Sequence, residues 1–192
     1  MLHTFVAYVE DKPGVLTRVA SLFRRLNINI ISLTVGRSER SGYSRMTIVA
    51  EASDQAGNRI RASLYKLEDV GEVDDISGVS AVTRELALIK VAANAGNRSG
   101  VFELAEVFRA RIVDLAPESL MIEITGVESK IEGLIQVLNE TEQRVLEVCR
   151  SGKMTMRRGQ HTSRVLRAMG AATDATKETP ENYDDETSIE PE

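Results

Sequence analysis

The apolar positions of this chain alternate between a period near 3.6 and a period of 2, and the sequence of periods runs through twice. A buried strand is predicted over 2–9. It ends in Asp11-Lys12-Pro13-Gly14, a turn punctuated by Pro and Gly. Val15, Leu16, Val19, Leu22, Phe23 and Leu26 then share one face of a helix over 14–25. Asn27-Ile28-Asn29 closes that helix. Ile30, Ile31, Leu33 and Val35 belong to a second strand over 29–36. The polar stretch from Gly36 to Gly42 fits a hairpin loop. Over 43–52, Met46, Ile48 and Ala50 alternate with Arg45, Thr47 and Val49, which predicts a third strand. Ser53-Asp54 can cap a second helix over 55–67, with Ala56, Ile60, Leu64 and Leu67 inward. Val70, Val73 and Ile76 mark a fourth strand.

This β-α-β-β-α-β order suits a ferredoxin-like unit, an antiparallel sheet with two helices on one face. Neither helix is apolar all round. The sheet's other face is therefore expected to be exposed or used for association. The pattern repeats with a strand over 86–91, a helix face of Val101, Leu104, Ala105 and Phe108, and a strand over 111–115. Leu120, Ile122 and Ile124 form another strand, Ile131, Leu134, Ile135 and Leu138 a last helix face, and 144–149 a last strand. The fold class expected is α+β, with two ferredoxin-like βαββαβ domains in tandem over 1–78 and 84–159. Gly100-Val101-Phe102 echoes Gly14-Val15-Leu16, and Asp114 falls opposite Asn29.

The first turn carries the candidate chemistry. A helix N-terminus leaves backbone N–H groups without partners and carries partial positive charge, which suits a carboxylate. Gly14 lets a ligand approach the backbone. Asn29 offers an amide with donors and acceptors. Val15, Leu16, Ile30 and Leu33 could hold a small apolar side chain. Together these are the parts of a site for an aliphatic amino acid. On the residues alone a second reading stands beside it, in which Gly14 is a turn glycine and Asn29 a helix stop.

Composition narrows the function classes. The net charge of −5 over 192 residues hides an uneven distribution. Residues 171–192 hold eight acidic residues against one lysine, and residues 1–170 are near neutral, 23 basic against 21 acidic. A body without basic excess and with 4 % aromatics is not that of a nucleic-acid binder. No run of 18 apolar residues predicts a membrane span, and the start lacks the pattern of a secretory signal. A single cysteine, Cys149, excludes an internal disulfide and fits a cytoplasmic protein. It lies in an apolar run and is expected to be a buried strand residue. His3 and His161 are the only histidines, and no HExxH, GxSxG, P-loop or paired-cysteine spacing occurs. An enzyme is not indicated. The locally basic stretch from Lys153 to Met169 reads as a terminal segment, with a short helix within 161–169, either frayed or docked on a partner or on the acidic tail. Residues 171–192 are expected to be disordered, so 160–192 form a basic, then acidic, tail.

Three stretches in order carry a resemblance: Asn29-Ile30-Ile31-Ser32-Leu33-Thr34-Val35, Ser44-Arg45-Met46-Thr47 and Arg150-Ser151-Gly152. With these the chain resembles the small regulatory subunits of acetolactate synthase, an enzyme of branched-chain amino acid synthesis. Residues 1–78 resemble their N-terminal ACT domain and 84–150 their second domain. The resemblance implies a non-catalytic chain that binds and activates a catalytic large subunit and makes it sensitive to feedback inhibition, usually by valine. It implies a homodimer through ACT domains, with effector sites where two such domains pair. Asp11, Gly14, Val15, Leu16, Asn29, Ile30 and Leu33 are the effector residues it carries over. Asp11 departs from the asparagine often found there. It favours the ligand ammonium and weakens attraction for the carboxylate. The cofactors, ThDP, FAD and Mg²⁺, would belong to the large subunit and none to this chain. A free-standing ACT sensor acting on transcription is the alternative. The second half argues against it, and no DNA-binding helix pair is found.

Overall fold

Two antiparallel sheets, each with a helix pair on one face, make up the computed structural model, which describes residues 1–141 and 143–159. The first is built from β1 (Leu2–Glu10), α1 (Val15–Leu26), β2 (Ile30–Arg37), β3 (Tyr43–Glu51), α2 (Asp54–Leu64) and β4 (Val70–Asp75). Its strand order is β2-β3-β1-β4, so β2 is an edge strand. Alternation puts Phe5, Ala7 and Val9 of β1 and Met46, Ile48 and Ala50 of β3 on the helix side. There they pack against Val15, Val19, Leu22 and Phe23 of α1 and Ile60 and Leu64 of α2. Each of the larger side chains, taken fully from water, contributes about 1.5–3 kcal/mol. Ser53 caps α2 by accepting from the Ala56 N–H at 3.3 Å, as its sequence position predicts.

The second unit repeats the order with β5 (Ala81–Ala92), α3 (Arg98–Val107), β6 (Arg111–Leu115), β7 (Ser119–Gly126), α4 (Glu128–Glu140) and β8 (Val145–Arg150). Its strands run β6-β7-β5-β8. Ala87, Ile89 and Val91 meet Ile122, Leu134 and Leu138 in its core. The tandem βαββαβ architecture is the one the periodicity predicts.

Three features differ from the sequence reading. β9 (Met154–Arg157) is a strand that the pattern does not predict; it pairs with Ala81–Arg84, the start of β5. Four residues, with Thr155 buried between exposed Met154 and Met156, carry too little periodicity to stand out. Cys149 is exposed, not buried. It lies opposite Leu88, one residue from the core-facing Ile89, so it points to the helix-free face of an edge strand. Finally, the helix-free face of the first sheet is partly covered by the chain's own C-terminal segment. Arg45 donates from Nη2 to the Thr155 carbonyl at 2.5 Å, and Arg157 Nη2 lies 2.8 Å from Asp74 Oδ2. Val6, Tyr8 and Ile76 are buried on that side. The short helix expected within 161–169 and the acidic tail lie outside the described residues.

Candidate functional site

Gly14 is the N-cap of α1 and takes φ 88° and ψ −13°, a left-handed conformation that favours glycine. A Cβ built there meets nothing within 4 Å, so the position is open as well as twisted. No side chain caps α1, which leaves its first-turn N–H groups without a side-chain partner. The turn itself is braced. The Asp11 N–H donates to the Gly42 carbonyl at 2.9 Å, and the Glu10 N–H to the Asp69 carbonyl at 2.9 Å. Arg18 Nε meets Asp69 Oδ2 at 2.7 Å. Lys12 pairs with Glu10, whose carboxylate raises the Lys12 pKa above its ordinary value.

The predicted site residues separate into three groups. Asp11, Gly14, Leu16 and Asn29 are exposed. Ile30 and Leu33 are half-buried and pack against the core from β2. The Val15 side chain is 3 % exposed and belongs to the core itself, so it underlies the turn instead of facing out. Gly14 and Asn29 stand at opposite ends of α1. A helix of that length, 12 residues, spans about 18 Å. One copy of the chain therefore does not bring them together.

The second unit has its own version of these positions, and the structure corrects the register read from sequence. Asn27 and Arg109 both end their helices in the left-handed region, with φ 53° and 49°. The next residues make matching bonds, Ile28 N–H to Phe23 O at 3.1 Å and Ala110 N–H to Ala105 O at 2.7 Å. Both following strands carry a register shift, at Ile30/Ser32 and at Ile112/Asp114. These anchors place Arg111, not Asp114, opposite Asn29, and Asp114 opposite Ser32. Gly100 likewise does not correspond to Gly14, because it lies inside α3. A Cβ on it would come within 2.9 Å of Gln143 Nε2. Arg98, the first residue of α3, donates to the Ala116 and Pro117 carbonyls at 3.0 and 2.8 Å. The start of α3 is packed by Arg98 and Gln143, where α1 starts in the open.

The sequence reading did not find the seam between the units. Ser32 and Thr34 of β2 bond to the main chain of Lys153. Arg150 pairs with Glu85 and Glu132, and Lys153 Nζ meets Glu128 at 2.7 Å. A cleft of about 400 Å³ lies there, between Ile31 and Leu33 on one side and Arg150 and Lys153 on the other. Its charges are paired within the chain. Arg150-Ser151-Gly152 was legible as a motif, but its contact with β2 spans more than 100 residues and has no local signal. Among the described residues no group of three His, Cys, Asp or Glu could hold a metal, and no helix is long and apolar enough to cross a membrane.

The fold is a tandem pair of ferredoxin-like units, and the first, with its open glycine turn ahead of the helix, is of the ACT class. Residues 5–72 match the family described as the AHAS small subunit-like ACT domain, and 84–159 the family described as the small subunit of acetolactate synthase. The chain is 47 % identical over 157 residues to the acetolactate synthase small subunit of Mycobacterium bovis, covering 82 % of this chain and 92 % of that protein. It is 45 % identical to that of Mycolicibacterium smegmatis, with 82 % and 91 % covered. The crystal structure of the small subunit from Thermotoga maritima superposes with a TM-score of 0.78 at 39 % identity, covering 84 % of this chain and 99 % of that one. The chain belongs to the acetolactate synthase small-subunit family. It is accordingly a non-catalytic subunit, and the catalytic large subunit is its partner.

Proposed function

We propose that this chain activates the large subunit of acetolactate synthase and makes it sensitive to inhibition by valine. It does so as a homodimer in the cytoplasm, with ThDP, FAD and Mg²⁺ carried by the large subunit. The observation that carries the reading is the separation of Gly14 from Asn29 by the length of α1. Two first sheets joined antiparallel along the β2 edge would set Gly14 of one protomer beside Asn29 of the partner subunit. The uncapped α1 N-terminus would then take the amino acid's carboxylate, Asp11 of the same turn its ammonium, and the partner's Asn29 its polar groups. Leu16, with Ile30 and Leu33, would hold the branched side chain above the Val15 core. An exposed edge strand also favours pairing with a second copy.

Occupancy regulates only if it favours one state of the complex over another. The test is acetolactate formation by the large subunit from the same source, with and without this chain, and with valine, leucine and isoleucine titrated in. Activation that valine reverses is expected. No complex and no change in rate would overturn the reading in favour of a free-standing sensor. Activation indifferent to all three amino acids would retain the partnership and reject the effector.

A further inference from the structure

We infer that two hydroxyls on β2 form the coupling element between the effector site and the second unit; this rests on the effector reading above. The Ser32 hydroxyl oxygen accepts from the Lys153 N–H at 2.8 Å. The Thr34 hydroxyl donates to the Lys153 carbonyl at 3.2 Å. One peptide residue of the C-terminal segment is thus held at both its donor and its acceptor by alternate residues of one strand. The fit is close. Gly152 has φ 82°, and a Cβ on it would fall 2.9 Å from Thr34 Oγ1 and 3.0 Å from Ser32 Oγ. Only glycine permits that approach in that conformation.

Both ends of the clip lead somewhere. On one side, Ser32 is three residues from Asn29, and Ile31 between them is unpaired in the register shift of β2. A bulge of this kind bends a strand locally, so it is the point where β2 can shift without breaking its ladder with β3. On the other side, the Lys153 side chain runs to Glu128 at the start of α4. Ser151 is tied to β5 through its N–H to the Leu86 carbonyl at 2.9 Å and through the Leu86 N–H to its hydroxyl at 3.0 Å. A displacement of the first residues of β2 is carried through Lys153, and through Ser151 two residues before it, to two elements of the second unit. The second unit's counterpart of Ser32 is Asp114, which has no hydroxyl to offer.

The test uses the full chain with its large subunit and the variants Ser32→Ala, Thr34→Val and the double variant S32A/T34V. Each removes a hydroxyl and leaves the cores untouched. Calorimetry on the small chain is expected to give valine affinities within about twofold of wild type, which also certifies a folded sensor. In the complex, activation is expected to persist. The valine concentration for half inhibition is expected to rise at least about fivefold in the double variant, the lower range of ordinary allosteric couplings. Wild-type inhibition retained in S32A/T34V overturns the clip while leaving the effector reading intact. A large loss of valine affinity in the isolated double variant also overturns it, since the hydroxyls would then belong to the ligand site. A wild-type complex indifferent to valine, leucine and isoleucine overturns the effector reading and this inference together.

Discussion

Arg150 closes on Glu85 with two parallel contacts, Nε to Oε1 at 2.9 Å and Nη2 to Oε2 at 2.7 Å. The Glu85 side chain is 6 % exposed, and Arg150 is also shared with Glu132. The Glu85 hydrogen bonds, and then those of Glu132, hold the guanidinium protonated well above its ordinary range. Removing one partner strands a buried carboxylate, whereas removing both strands nothing. Arg150→Met should therefore lower stability by about 3 kcal/mol, and a double variant with Glu85→Met should lie within about 1 kcal/mol of wild type. Urea unfolding of wild type, both single variants and the double variant, read as a double-mutant cycle, checks this.

Glu72 supplies a pH dependence. It lies on β4 beside Asp74, and burial, then the Asp74 charge, raises its pKa above the ordinary carboxylate value. The folded chain then binds that proton more tightly than the unfolded one. Stability falls as pH rises through a window that begins at the ordinary carboxylate value, and the deficit is fully present at neutral pH. Glu72→Gln should be more stable than wild type at pH 7 and should lose that advantage below about pH 4. Thermal melts of both proteins at the two pH values decide it.

Two glycines should respond to alanine for different reasons. At Gly14 the space is open and the penalty is the left-handed backbone, so Gly14→Ala should cost about 1 kcal/mol. At Gly57 a Cβ would lie 2.5 Å from Cε1 of His3. His3 is buried, stacked on Phe5 at 5.8 Å and bonded to Asp75 at 3.1 Å, so it has little room to move. Gly57→Ala should cost about 2–3 kcal/mol by overpacking. Denaturant midpoints rank the two, and the lower midpoint is expected for Gly57→Ala.

Asn29→Ala isolates binding from folding. Asn29 is exposed and makes no contact that the first core needs. The variant should keep its unfolding free energy within about 0.5 kcal/mol and bind valine about tenfold more weakly. Calorimetry showing unchanged affinity would remove Asn29 from the site.

The core faces were readable because a sheet imposes period 2 and a helix period 3.6 on any sequence that must bury one face. Met46, Ile48 and Ala50 lie inward as their alternation says, and Val19, Leu22 and Phe23 meet them. The echo between the halves was readable as a pattern and not as a register. The sequence echo places Asp114 opposite Asn29, whereas the helix ends at Asn27 and Arg109 place Arg111 there. Main-chain geometry at a helix end leaves only a weak mark on sequence, since Arg109 is not a residue type that advertises a left-handed cap.

What the sequence determined by itself is local: which residues alternate, where Pro13, Gly14 and Asn27 interrupt the pattern, and which family motifs occur in order. Tertiary structure alone decided that Thr155 and Arg157 lie across the back of the first sheet and that Cys149 faces out. It also decided that Ser32 and Thr34 hold Lys153, and that Gly14 and Asn29 stand a helix length apart. These are contacts between residues far apart in the chain, or distances set by a whole helix. Hydrophobic period records which side of an element is buried, and it carries no information about what arrives to bury it.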